Sequence, residues 1–174
     1  MTTFDWKREL YRENHQVVLS GQPVAIHCHH YNINLQKTLE DTLGEEGSRL
    51  IYQSTETAAY NLLKPLLAQY RGIKSVKSKL EMFAILYQNC GLGIIHPKAI
   101  ENGTGIIIST SSHHVTGWLA KHGLRHTPGC HFTCGWLAGA LEAIFSKSIG
   151  AISVKETSCK MMRDKECIFR IKGY

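Results

Sequence analysis

No stretch of this sequence is apolar for anything near the ~20 residues that a bilayer-spanning helix needs, so no membrane span is expected. The opening MTTFDWKREL is charged from its fifth residue and has no leader-like apolar core, which points to a cytoplasmic location. Internal repeats and low-complexity tracts are missing, which argues for one continuous unit rather than a solenoid or a string of modules. Also absent are a phosphate-cradling glycine loop, a dinucleotide fingerprint and a serine-hydrolase elbow. Charge of one sign is in excess, with a formal net charge of +6, yet the basic residues are spread thinly. Only RGIKSVKSK, residues 71–79, forms a cluster, and no aromatics interleave with it. That pattern suits a solvated turn between helices, and no nucleic-acid partner is expected.

What is present suffices for a core: 174 residues at 43% apolar composition support one domain spanning 1–174. The first half reads as helical. FDWKRELYREN is amphipathic, and Cys28, Tyr31, Leu35, Leu39 and Leu43 recur at helical spacing before Gly44 as a stop. Residues 50–70 repeat the pattern through Leu62, Leu63, Leu66 and Leu67, with Pro65 expected to kink or interrupt the helix. A third helix is expected from 75 to 89, ending at Gly91.

From Gly93 the signal changes. GIIHPKAI and GIIIST are short β-rich runs around ENGTG, whose Asn-Gly marks a hairpin turn. A short helix follows through VTGWLAKHG, capped by Ser111 or Ser112. Thr127 and Pro128 fit the entrance of a buried helix, and AISVKE and CIFRIK read as strands. The fold class that results is α/β in the α+β sense: a helical N-terminal half, then an antiparallel sheet packed against helices, with the motif-bearing part at 92–174.

The chemistry concentrates in KETSCKMMRDKECIFRI, residues 155–171. Strand alternation puts Ile152, Val154 and Glu156 on one face, and Cys167, Phe169 and Ile171 on another inward face. A turn between the strands brings Cys159 near Cys167, where a metal ion would neutralise both thiolates and the carboxylate. Cys130 and Cys134, on one face of the preceding helix, are both candidates for the remaining ligand, Cys130 being favoured by the positive end of the helix dipole. Gly135 and Gly139, one turn apart, imply close packing of this helix, expected against the sheet. A single cysteine reads best as a small buried hydrophobe, but this density of thiols around an inward acid favours a metal site. Zinc fits the mixed sulfur and oxygen donors; an iron-sulfur cluster would instead need Cys130, Cys134, Cys159 and Cys167 together.

HCHHYN, residues 27–32, offers a second group of donors: His27, Cys28, His29 and His30 with Tyr31 beside them. It is compatible with a second metal site, an axial contact to a tetrapyrrole, the polar end of a ligand pocket, or simply an exposed helix end. His113 and His114, beyond a strand, are weaker candidates for the same pocket.

GCHFTCGWLAGALEAIF followed by ISVKETSCKMMRDKECIFRI resembles the 4-vinyl reductase domain family, specifically over 130–171 and diffusely before. That family's domain is similar to the ligand-sensing region of bacterial phenol- and xylene-responsive activators, and its fold resembles subunits of the TRAPP vesicle-tethering complex. In the sensors, zinc is held by three cysteines and a glutamate. The resemblance places these on Cys130, Glu156, Cys159 and Cys167. Two departures stand out: Arg163-Asp164 replaces the family's Gly-Asp turn, and Cys134 is an extra thiol that leaves open whether it takes the place of Glu156. The resemblance implies a homodimeric module that binds a small hydrophobic or aromatic ligand around a structural zinc, with binding favoured over catalysis. Tetrapyrrole handling or redox chemistry, and a protein-assembly role, are the alternatives it also carries.

Overall fold

The computed structural model describes residues 4–174. The helix expected over FDWKRELYREN is cut to one turn, α1 (Trp6–Glu9), after which the chain becomes extended. β1 (Leu10–Glu13), β2 (Gln16–Leu19) and β3 (Gln22–Val24) form a three-stranded antiparallel sheet. Asn14 and His15 have φ of 47° and 65°, the paired left-handed conformation of a two-residue hairpin turn, and Ser20 and Gly21 repeat it at 52° and 75°. Two tight turns thus decide this segment against its helical periodicity.

The helical part follows. α2 (His29–Leu43) ends at Gly44 as expected, α3 (Glu45–Gln69) carries Glu45 and Glu46 at its positive end, and α4 (Val76–Asn89) is capped by the Ser75 hydroxyl, which accepts from Ser78 N–H. RGIKSVKSK straddles the exposed α3–α4 turn. The expected interruption at Pro65 does not occur, and α3 runs through it. The carbonyl that proline leaves without a donor belongs to Asn61, an exposed residue that water can serve, while Leu62, Leu63 and Leu66 hold this stretch in the core.

β4 (Gly93–Glu101) and β5 (Thr104–Ser112) form the expected hairpin about Asn102-Gly103, with φ of 50° and 76°. The Ser112 hydroxyl caps α5 (His113–His122). α6 (His131–Phe145) begins later than the expected Thr127-Pro128 entrance, with Cys130 as its N-cap. β6 (Ile152–Ser158), a 3-10 turn (Lys160–Met162) and β7 (Cys167–Gly173) complete the chain. The four-stranded antiparallel sheet has the order β4-β5-β7-β6, so the last strand lies between two earlier ones. No helix among the described residues is long and apolar enough to cross a membrane.

α6 is buried on every side from Thr133 to Leu141, apart from Trp136, and contacts both β6 and α3. Gly135 and Gly139, expected to face the sheet, face α3 instead. A Cβ at Gly139 would lie 1.9 Å from the Glu56 carbonyl oxygen, and one at Gly135 would lie 2.1 Å from that of Tyr52. Only glycine lets the two backbones approach this closely.

Candidate metal centre and ligand cleft

β6 carries an irregularity where the strand meets its turn: Glu156 pairs with Phe169, but Ser158 pairs with Ile168. Two steps along β6 therefore match one along β7, the signature of a β-bulge. Strict alternation would turn Cys159 away from the face of Ile152, Val154 and Glu156; the extra residue restores it to that face, and Cys159 is fully buried. Its N–H donates to Asp164 Oδ2 at 2.7 Å, while Arg163 supplies the left-handed residue of the turn with φ of 74°. The Arg163-Asp164 pair thus builds a tight turn despite lacking glycine.

The outcome is one convergent cluster. Ligand atoms of Cys130, Glu156, Cys159 and Cys167 lie within 4.8 Å of one another, and all four residues are buried. Cys130 Sγ and Cys167 Sγ are 3.9 Å apart, close to the roughly 3.8 Å edge of a tetrahedron with zinc-sulfur bonds of about 2.3 Å. Glu156 Oε2 accepts from the N–H groups of Gly129 and Cys130 at 3.1 and 3.0 Å, which aims the carboxylate at the N-terminus of α6. Glu156 Oε1 is buried without a hydrogen-bond partner, in position to serve as a ligand atom. Three thiols and a carboxylate oxygen converging within 4.8 Å fit zinc. Cys134 is buried but is not brought into this group, so the four-thiolate arrangement of an iron-sulfur cluster is not the one assembled.

Four buried acids this close resist ionising together. Burial, and then Cys159, pushes Glu156 up to about 7. The hydrogen bonds Cys130 makes to Cys159 and Cys167, together with burial, hold its thiol well above the usual range. Cys159, which accepts from Cys130 and Cys167, is the thiol pushed down. Contact with Cys130 lowers Cys167, but its bond to Cys159 and burial raise it on balance. Burial keeps Cys134 neutral.

A cleft of about 390 Å³ lies among α2, α3, α5 and α6. Leu35, Leu39, Leu50, Ile51 and Phe132 supply its apolar wall. Of its polar residues, Gln36 donates to Glu40 and to the Gly129 carbonyl, both at 2.8 Å, and the Thr55 hydroxyl donates to main-chain carbonyls such as that of Ile51. Asn32 lies 3.4 Å from His113 Nε2. His114 differs: it is 1% exposed, and neither ring nitrogen has a hydrogen-bond partner. Gly129 joins the two places, since its carbonyl accepts from Gln36 in the cleft and its N–H donates to Glu156 in the cluster.

The remaining sequence candidates lie elsewhere. His27 and Tyr31 stack with ring centroids 4.6 Å apart, and His27, Cys28, His30 and Tyr31 are exposed; the side chain of His29 lies outside the described residues. Of these, His27, Cys28, His30 and Tyr31 do not line the cleft, whereas Asn32 of the same stretch does. Of the pocket candidates read from the sequence, His114 on α5 is the one that lines the cleft among the described residues. Gln36 and the α2–α3 wall were missed because a leucine pattern at helical spacing reads as core, whether it meets a neighbour or a cavity.

No family model matches the chain. An uncharacterized protein of Methanocaldococcus jannaschii is 30% identical over 95 residues, which make up 53% of this chain and 50% of that protein. The chain thus spans about half the length of that relative. Among solved structures, the phenol-responsive sensory domain of the transcription activator PoxR, crystallised with phenol, aligns over 97% of this chain and 86% of its own, with TM-score 0.85 and 21% identity. A vinyl-4-reductase family protein from Methanocaldococcus jannaschii aligns over 71% of this chain and 68% of its own, with TM-score 0.53 and 19% identity. At these structural similarities, the chain has the fold of the aromatic-sensor and 4-vinyl reductase domains.

Proposed function

We propose that this chain is a binding or sensing module for a small hydrophobic or aromatic molecule, in which zinc held by Cys130, Glu156, Cys159 and Cys167 fastens the β6–β7 turn to the start of α6. The observation that carries the reading is the pairing of a mostly apolar cleft with a buried three-thiol, one-carboxylate cluster through the single residue Gly129. A bound zinc would supply charge neutralisation and a cross-link among three chain segments. The chain's own part is to hold the donors: the bulge turns Cys159 inward, Asp164 fixes its main chain, and two amides orient Glu156. Likeness to a domain crystallised with phenol supports the ligand class. A homodimer, expected from the family resemblance, belongs to the same proposal and is checked by light scattering at micromolar concentration.

Metal content and melting temperature, measured on protein purified anaerobically without chelators, test the zinc half. About one zinc per chain is expected. Cys159→Ser or Cys167→Ser should lose metal and melt earlier, because metal-binding free energy contributes to folding. Glu156→Gln should weaken retention, whereas Cys134→Ser should leave the metal in place. Thermal shift against a panel of phenols and naphthols tests the ligand half. Metal-free wild-type protein with no response to the panel sinks the reading, and a Soret band would replace it with tetrapyrrole binding.

A further inference from the structure

Along the edge of β6 that no strand covers among the described residues, the N–H groups turned away from β7 are taken one after another by side chains. Ile152 N–H donates to Glu142 Oε1 at 3.0 Å, and Val154 N–H donates to the Tyr52 hydroxyl at 3.1 Å. Glu156 N–H, the next in the alternation, donates to the sulfur of Cys134. We propose that Cys134 is a positioning residue for the metal centre, holding the main chain of Glu156 so that its carboxylate stays aimed at Cys130, Cys159 and Cys167. The inference rests on the zinc reading and adds what the extra thiol does for it.

Helix rise and strand rise explain the pattern. Cys134 and Glu142 stand eight residues apart on α6, about 12 Å along the helix axis. Ile152 and Glu156 stand four residues apart on β6, about 13 Å along the strand. The two spans match, so acceptors two turns apart on α6 meet the first and third outward N–H groups of β6. Midway on the helix is Ala138, fully buried, whose methyl cannot accept a hydrogen bond, and there Tyr52 reaches in from α3 instead. The close approach of α3 makes this reach possible, since a Cβ at Gly135 would lie 2.1 Å from the Tyr52 carbonyl oxygen. One turn further toward the start of α6 stands Cys130, so the cluster is the last step of the same register.

Glu156 is thereby held at two points by the start of α6. Cys134 fixes its main chain, and the Gly129 and Cys130 amides fix Oε2, which leaves Oε1 for a metal ion. Cys134 is itself buried yet outside the converging group, as a sulfur engaged with main chain would be. An apolar side chain in its place would fill the space but leave a main-chain N–H without an acceptor, which folded proteins avoid. Groups that orient a metal ligand typically change metal affinity by about 10–100-fold when they are removed.

The experiment compares full-length wild type, Cys134→Ala, Cys134→Ser and Glu156→Gln. Zinc retention is measured against a chromophoric chelator, the ligand set by the visible spectrum of the cobalt-substituted protein, and the contact itself by hydrogen exchange of the Glu156 amide. Cys134→Ala should hold zinc about 10-fold less tightly, move the cobalt bands toward those of Glu156→Gln and exchange the Glu156 amide faster. Cys134→Ser, whose hydroxyl can accept the same N–H, should restore most of all three. Packing alone predicts the reverse order, because a hydroxyl is costlier than a methyl in an apolar site. Equal behaviour of the two Cys134 variants, or alanine outperforming serine, overturns the inference and leaves the zinc reading intact if wild type holds its metal. Should Cys134→Ala fail to fold, wild type decides: a Glu156 amide exchanging as slowly as those of Ile152 and Val154 supports the inference, and one exchanging far faster overturns it. Wild type that takes up neither zinc nor cobalt removes the metal reading, and the inference with it.

Discussion

Arg163 holds the turn between Cys159 and Cys167 in a left-handed conformation, with φ of 74°, at the position where the resembling family has glycine. For a side chain with a Cβ that conformation costs roughly 1–2 kcal/mol. Glycine adopts it without strain but loses more freedom on folding, so Arg163→Gly should raise stability by only about 0.5–1 kcal/mol. The expected readout is a modest rise in melting temperature at unchanged metal content. A fall would show that the arginine side chain contributes contacts that outweigh its backbone strain. Next to it, Asp164 is the residue that cannot be exchanged without consequence, since its carboxylate receives the Cys159 N–H and so fixes the thiol's position. That function was hidden in the sequence, where Asp164 reads as one charge among KMMRDKE.

Among the elements, α6 sets the tightest constraint. Alanine normally gains about 1 kcal/mol over glycine inside a helix. At Gly139 the new methyl carbon would sit 1.9 Å from the Glu56 carbonyl oxygen and 2.9 Å from Tyr60 N, both main-chain atoms of α3 that cannot swing aside. Gly139→Ala should therefore destabilise by about 1–3 kcal/mol or more, read by chemical denaturation, and a neutral result would mean that α3 and α6 are free to separate. The glycine spacing announced a close approach, but a single sequence held nothing to say whether the neighbour was strand or helix. Elsewhere the elements were legible where local chemistry was strong. Asn102-Gly103 marked its hairpin, Gly44 marked the end of α2, and the serine pair 111–112 marked the start of α5. The first hairpin was not, because Leu10, Tyr11 and their neighbours repeat as an amphipathic helix would and the turn at Asn14-His15 lacks glycine. The candidate donors could be named from spacing and resemblance, whereas the inward turn of Cys159 took the bulge in β6, which depends on pairing with β7.

At the scale of the whole molecule, stability should respond to pH through a pair of acids between α3 and α6. Glu56 is raised to about 7 from a usual value of 4.5 by burial and then by Glu142, whose Oε2 has no hydrogen-bond partner. A carboxyl raised in the folded state favours folding fully below its unfolded value and loses that contribution as pH climbs through about 7. Glu56→Gln should thus melt like wild type near pH 4 but be more stable near pH 8, by about 1 kcal/mol after allowance for solvent screening. Comparing variant with wild type at each pH cancels the pH sensitivity of the cysteine–glutamate cluster, and identical curves at every pH would refute the assignment. The sheet order adds a consequence for how the chain is made. Among the described residues β6 has no neighbouring strand other than β7, and β7 is also the partner of β5 and the bearer of Cys167. A nascent chain emerging from the ribosome can complete its helices and the β4–β5 hairpin, yet β6, with the candidate ligands Glu156 and Cys159, has nothing to pair with until β7 follows. On the proposed zinc site, closure of the sheet and capture of the ion would coincide in a single late event, so translation stalled before Cys167 would leave Cys130 and Cys159 without their covering strand.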